Sequence, residues 1–504
     1  MEGSTLSTEW HVRWVTNESP ITVSDHPILQ RWADLGDREA ALRIDPGDPI
    51  LVDPDSRVDP RLTLYATRSA YARLAASTRK NYASDSCLFF NFLWQRGKNW
   101  DEATGEDLLD FEDWRRWSPR NPQRIGGSKW NRELAALRRL YKWAVAKRYM
   151  AASPVVEREV MGRNGQMVSV PVARAKDARA NNVKWLTPRA YRMWRDVGLR
   201  GYTSGGRRDP SFRGRNDDRN AAYSDVLFSS GMRRTEGGSL LTIEIPDLMD
   251  ASRNFYDGKL GREASKSKRE RTFWVSADAL RSVETYVRTS RRAAIRRAQA
   301  QGRYEAVRDV WIMTGRSGFE QRDLHLVDET GEVFERNLTT LEVEERQRLF
   351  IEGKGGLEPL WLWLSEDGRP FLPHSWEAVY RAASERCRVL LEGKVSKPPH
   401  FTPHMARHSF ALYMLVALQH ALDNRFGLTA EERKDLRLLY GDSWRLVKNL
   451  LDHASEETTR AIYLAPVSDI QARSLLLEDA EASVTELLSQ IAEQSERVMD
   501  EVAV

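Results

Sequence analysis

A mainly α-helical protein with a small β-sheet, an α+β chain of two or three domains, is what three features of the sequence predict. The length of 504 residues exceeds one ordinary domain, so more than one core is expected. Apolar side chains recur at helical spacing, clearest in Trp130, Leu134, Leu137 and Tyr141 at i, i+4, i+7 and i+11. A β-branched and aromatic run, Thr272-Phe273-Trp274-Val275, follows a cluster of basic residues and reads as one strand of a hairpin.

In chain order, residues 1–65 are rich in Pro and Asp without a sustained period and read as an irregular N-terminal arm of unknown role. Residues 66–158 read as an all-helical domain. Tyr82, Phe89 and Leu93 share the face of a first helix that Gly97 closes, Leu108, Phe111 and Trp114 mark a second, and Trp130 to Tyr141 a third. Residues 159–183, with Gly162, Gly165 and Pro171 among scattered Arg and Lys, read as a linker. Thr187-Pro188 then has the form of an N-cap followed by proline in the first turn and opens a second domain over 184–479. Within it, Gly201 to Arg219 is expected to be an exposed loop, and Thr242 to Ile245 to join the hairpin around Lys266 in a small sheet. Segments near 303–358 and 415–442 read as insertions. In 480–504, Val484, Leu487, Leu488, Ile491 and Val498 form one apolar stripe on an acidic background, an amphipathic helix seeking a groove.

Composition narrows the function classes. Hydrophobic residues make up 41% of the chain and no apolar run approaches the ~20 residues of a bilayer span, so no membrane role is expected. The N-terminus, Met1-Glu2-Gly3-Ser4-Thr5, lacks the basic and apolar regions of a secretory signal, and a cytoplasmic protein is expected. Two cysteines, Cys87 and Cys387, cannot build a disulfide framework or a cysteine-based zinc site. A formal net charge of +4 is only mildly basic, so a role on DNA must rest on local clusters such as Lys259, Arg262, Lys266, Lys268, Arg269 and Arg271.

The chemistry-bearing motifs lie in the second domain. Thr402-Pro403-His404-Met405-Ala406-Arg407-His408 contains H-x-x-R. Further on come Leu450-Leu451-Asp452-His453 and, past Thr458-Thr459, Tyr463. Upstream stand Gly231-Met232-Arg233-Arg234-Thr235-Glu236 and the hairpin Lys266-Ser267-Lys268-Arg269-Glu270-Arg271. A tyrosine hydroxyl, with an unperturbed pKa near ~10, attacks a phosphodiester only if a base takes its proton and cations absorb charge at phosphorus. Two histidines, two arginines and a lysine supply both.

In content and order this set resembles the tyrosine recombinase (phage integrase) family, and the resemblance covers roughly residues 66 to 480. It departs from the family pattern in two places: Asp452 stands where Gly is usual, and Tyr463 follows His453 one position later than is common. The resemblance implies a helical core-binding domain over 66–158, a catalytic domain over 184–479, and site-specific recombination of duplex DNA. Tyr463 would form a 3′-phosphotyrosyl link, Arg233 and Arg407 would hold the non-bridging oxygens, and Lys266, favoured over Lys268, would protonate the leaving 5′ oxygen. His404 would act as base, His453 would donate to the phosphate, and Glu236 would orient Arg233. No metal or other cofactor is implied. Arg79, Lys80, Lys129, Arg132 and Arg139 would meet DNA phosphates. A homo-tetramer on paired sites, joined through the C-terminal helix, and a nucleoid-associated state on DNA are further expectations, as is a place in a mobile element.

The same residues admit other readings. His408 is expected to be structural. The aromatic residues of the helical domain read as core, and single arginines as ordinary surface. His400, His404 and His408 recur every four residues and could bind zinc as a metal-dependent hydrolase does, but Pro403 interrupts the helix such a face requires. A DNA-binding accessory protein that keeps the recombinase fold without cleavage is the main alternative.

Overall fold

A computed structural model describes residues 8–16, 43–162, 165–177, 184–248, 253–420, 443–452, 483–494 and 497–500. The chain divides into two compact units, Met1–Ala180 and Asn181–Val504. The architecture is the expected mainly helical α+β type.

The first unit contains strands β1 (His11–Trp14) and β2 (Pro49–Val52), which pair antiparallel, and helices α1 (Pro60–Arg68), α2 (Ala76–Trp94), α3 (Gly105–Arg116) and α4 (Gly127–Ala146). Its core is aromatic: Phe89, Phe111, Trp130 and Tyr141 are fully buried, each worth about 2 kcal/mol of transfer free energy or more. Of the faces assigned from periodicity, Tyr82 and Trp114 are half-buried and the remaining residues buried. The residues expected to form an irregular arm depart from that expectation. Trp10 packs edge-on against Phe90 at 5.1 Å, and α1 begins at Pro60, so the boundary placed at 65 falls inside a helix. Asp and Pro, read there as breakers, serve as helix starters: the Asp59 carboxylate accepts from the Arg61 backbone N–H at 2.8 Å, and Pro60 fills the first turn.

The expected linker is likewise folded where the structure describes it. Strands β3 (Glu157–Met161) and β4 (Met167–Pro171) form an antiparallel hairpin. Beyond it Ala173 accepts from the Trp130 indole at 2.7 Å and Ala175 from the Asn131 amide at 3.1 Å.

In the second unit, β5 (Trp185–Leu186) leads into α5 (Pro188–Met193), capped by Thr187, whose hydroxyl accepts from Ala190 N–H at 3.2 Å. Helices α6 (Asp217–Ser230) and α7 (Arg234–Gly238) precede the hairpin β6 (Phe255–Leu260) and β7 (Arg271–Ser276). Thr242–Glu244, expected in that sheet, is a 3₁₀ turn instead. Its Glu244 carboxylate is drawn inward by the buried Arg346, which donates to it at 2.7 and 2.8 Å. Helices α8 (Ala277–Tyr286) and α9 (Arg292–Ala300) follow.

The insertion read near 303–358 is a mixed five-stranded sheet of β8 (Trp311–Ser317), β9 (Asp323–Val327), β10 (Val333–Asn337), β11 (Leu349–Gly353) and β12 (Gly356–Pro359), ordered β10-β9-β8-β11-β12. It has a small core of its own around Trp311, Leu324, Leu326 and Leu349. The unit's main core stacks Tyr223 of α6 on Trp376 at 3.6 Å. Trp376 opens α10 (Trp376–Leu391), which is followed by α11 (Pro403–His420) and α12 (Ser443–Leu451). The expansion expected at 415–442 is helical as far as His420, and its remainder lies outside the described residues.

The amphipathic segment near the C-terminus is helix α13 (Val484–Gln494). Its Leu488 and Ile491 are buried with Phe410, Leu415 and Trp444, and strand β13 (Val498–Met499) then pairs parallel with β5. The apolar stripe, for which docking on its own domain is the simple expectation and a neighbouring protomer the hypothesis, packs within its own unit, where Trp444 and the α11 leucines supply the groove. Among the described residues no helix is long and apolar enough to cross a membrane.

Candidate active site

Gly231 ends α6 with φ +64, the left-handed conformation that a helix C-terminus favours for glycine. That turn places Arg233 just before α7, with Glu236 in the first turn of the helix. The buried Glu236 carboxylate accepts from Arg233 Nη1 at 2.6 Å and from the Arg233 backbone N–H at 2.9 Å. Glu236 also accepts from Arg271 Nη2 at 2.7 Å. Burial by itself pushes the carboxyl pKa up, but Arg271, Arg233 and Arg407 outweigh it and hold the group at about 2. Glu236 therefore stays ionised and pairs with two guanidiniums, those of Arg233 and Arg271.

Arg407 lies on α11 and is 3% exposed. Its Nη1 donates to the Gly231 carbonyl at 2.8 Å and its Nη2 to the Leu451 carbonyl. Arg271 Nη1 donates to the neighbouring Leu450 carbonyl at 3.3 Å. The carboxyl end of α12 is thus held by two arginines from two other elements. The next residue, Asp452, has φ +51, and its carboxylate accepts from the Ser267 hydroxyl and lies 4.0 Å from Arg233 Nη1.

His404, in the first turn of α11, is exposed, and its Nε2 lies 2.8 Å from Nε2 of the buried His408. Desolvation first, then the charges of Arg407, Lys266 and Arg233, push its pKa below the ordinary histidine value. A neutral imidazole is the form able to take a proton. The Lys266 ammonium is thus within electrostatic reach of His404. Lys266 is exposed, whereas its rival Lys268 is tied to Glu263 and, at 3.2 Å, to Glu342. The structure thus brings Arg233, Glu236, His404 and Arg407 together at the end of α12, within electrostatic reach of Lys266; His453 and Tyr463 lie outside the described residues.

Sequence reasoning missed Arg271 as part of this group. The signal was its alternation with Phe273 and Val275, which puts a charge at an inward position of a strand. The zinc reading fails on geometry, since α11 starts at Pro403 and leaves His400 before the helix. Among the described residues no group of three or more His, Cys, Asp or Glu could hold a metal ion.

In the first unit the five cations assigned to DNA separate. Arg79 pairs with Asp48 at 2.6 Å, and Lys129 and Arg132 both pair with the buried Asp85, at 2.9 and 3.1 Å. Lys80 is exposed and Arg139 half-buried.

Residues 69–148 match the family model described as phage integrase, N-terminal SAM-like domain. The chain resembles the tyrosine recombinase (phage integrase) family. The matched SAM-like domain contains α2, α3 and α4 and lies within the segment read from sequence as the core-binding domain. Among solved structures, the chain is similar to XerA recombinase, with 14% identity, 82% of this chain and 96% of that chain covered, and a TM-score of 0.29. It is also similar to XerH site-specific recombinase bound to its difH substrate in a pre-cleavage complex, with 12% identity, 81% of each chain and a TM-score of 0.39. A third is the Tn1549 transposon integrase in complex with circular intermediate DNA, with 10% identity, 74% of this chain, 85% of that chain and a TM-score of 0.37. Among curated proteins none matches the sequence.

Proposed function

We propose that this chain is a site-specific DNA recombinase or integrase that cleaves and rejoins duplex DNA through a 3′-phosphotyrosyl intermediate on Tyr463. The observation that carries the reading is the convergence of Arg233, Arg407 and His404 at the carboxyl end of α12, the helix that leads in sequence to His453 and Tyr463. Arg233 and Arg407 hold the two non-bridging oxygens of the scissile phosphate, a task suited to planar donor forks. His404 takes the phenolic proton, Lys266 protonates the departing 5′ oxygen, and His453 donates a hydrogen bond to the phosphate. Glu236 orients Arg233 through the contacts already described. The phosphodiester energy is kept in the tyrosyl ester, so rejoining needs no cofactor.

Lys80 and Arg139 meet DNA phosphates in this reading, and Arg79, Lys129 and Arg132 do so while paired to their internal carboxylates. A homo-tetramer on paired sites in the cytoplasm, nucleoid-associated when on DNA and serving a mobile element, completes it. The test is a library of nicked suicide duplexes of randomised sequence. A covalent adduct that disappears in Tyr463→Phe supports the proposal, and the captured DNA gives the target site. Salt-sensitive, non-covalent binding alone overturns it.

One observation favours the second reading, a non-catalytic DNA-binding accessory protein with the recombinase fold. The Asp452 carboxylate, where the family has glycine, lies near the guanidinium that would receive the phosphate. The same adduct assay separates the two.

A further inference from the structure

His404 and His408 stand one turn apart on α11, with ring centroids 4.3 Å apart and planes at 82°. Their facing Nε2 atoms are 2.8 Å apart. A neutral imidazole carries one N–H and one bare nitrogen, so a contact between two of them contains a single proton, donated by one ring and accepted by the other. If His408 donates, the Nε2 lone pair of His404 is occupied and its Nδ1 carries hydrogen, leaving no free lone pair to take a proton. If His404 donates, its Nδ1 is bare.

Resting on the recombinase reading, we propose that His408 is the positioning partner of the base: it accepts the Nε2–H of His404 and so presents the bare Nδ1 of His404 to the tyrosyl hydroxyl. The proton account then closes. As the Tyr463 oxygen bonds to phosphorus, its O–H bond breaks and the proton passes to His404 Nδ1, while the bond from phosphorus to the 5′ oxygen breaks and that oxygen takes a proton from Lys266. Rejoining reverses each transfer.

The surroundings of His404 explain why such a partner is needed. Arg407, Lys266 and Arg233 all bear on the ring and oppose an imidazolium there. An acceptor at Nε2 strengthens its hydrogen bond when His404 becomes charged and so recovers part of the basicity those cations remove. His408 is 4% exposed, which holds the accepting ring in one place while the His404 edge remains open to solvent.

The experiment uses the full chain with ¹⁵N-labelled histidine, His404 being assigned with His404→Gln, and reads tautomer and titration by NMR. The expected wild-type state of His404 is the Nε2–H tautomer. In His408→Leu the titration of His404 moves down by about one pH unit, the worth of one charge-assisted hydrogen bond, and in His408→Gln, whose Oε1 can accept, it returns toward wild type. The acid limb of adduct formation against pH moves in step, with a lower plateau for the leucine variant. An Nδ1–H tautomer in the wild type, or an unchanged titration in His408→Leu, overturns the proposal. Should the leucine variant fail to fold, the wild-type tautomer and the glutamine variant decide. A wild type that forms no adduct defeats the recombinase reading alone, since the tautomer is read without turnover.

Discussion

Replacing Glu236 with glutamine keeps the shape of the side chain and removes the charge on which Arg233 and Arg271 converge. In the folded chain its carboxyl is held at about 2, against an ordinary 4.5. The gap corresponds to about 3 kcal/mol of preferential stabilisation of the folded state. Because the folded value is the lower one, the unfolded chain binds more protons as the pH falls. The contribution is complete above the ordinary carboxylate range and drains away as the pH drops from there toward 2. Glutamine has no such dependence, and it leaves two buried or half-buried guanidiniums without their anion. Urea unfolding of the full chain, followed by hydrogen exchange in peptides covering 231–241 and 271–276, reads this unit separately from the first. The variant is expected to lose about 3 kcal/mol at pH 7, with the difference shrinking below pH 4.5. A loss under about 1 kcal/mol at pH 7, or one that stays constant down to pH 3, refutes the claim that Glu236 holds the site as an ion.

The remaining predictions concern the base hairpin, the turn and the tail. Lys266→Ala is expected to slow adduct formation by about 10²-fold or more, while Lys268→Ala, whose ammonium is already occupied by Glu263 and Glu342, stays within about threefold; the reverse order reassigns the general acid. Gly231→Ala puts a methyl 2.4 Å from the Phe410 ring at φ +64 and should cost about 2 kcal/mol in urea melts, an intact stability showing that the turn is not strained as described. Leu488→Ala should destabilise the second unit by about 3 kcal/mol through a cavity beside Trp444; no loss, coupled with failure to assemble on paired sites, would restore the tail to a neighbouring protomer.

Much of the helical framework was legible because its physics is local. The stripe Trp130, Leu134, Leu137 and Tyr141 is buried along one helix, and Thr187 caps where the Thr-Pro pair placed a start. The strands before residue 60 were not legible, since β1 and β2 gain their stability from each other across 35 or more residues and from Phe90, not from a period of their own. Thr242 to Ile245 shows the opposite failure. Its β-branched residues read as a strand, yet Arg346, about a hundred residues later, takes the Glu244 carboxylate and the segment forms a turn.

In the site, motif order offered candidates for phosphate contact and one residue to hold them, Glu236, but not the other contacts around it. Arg233, Arg407 and His404 are candidates by motif order, whereas Arg271 and His408 enter through contacts that no spacing rule announces. The end of α12 shows why both kinds are needed. The last carbonyls of a helix have no partner within it and carry the negative end of its dipole. Leu450 and Leu451 hand theirs to Arg271 and Arg407, so the cations that assemble around Glu236 also fasten the helix that precedes His453 and Tyr463 in the chain. A loss of charge at Glu236 therefore loosens Arg233 directly and the α12 terminus through Arg271. The recombinase reading then requires cleavage to fall more steeply than DNA affinity when either residue is changed, because phosphate contacts elsewhere on the chain sustain binding while alignment at phosphorus is lost.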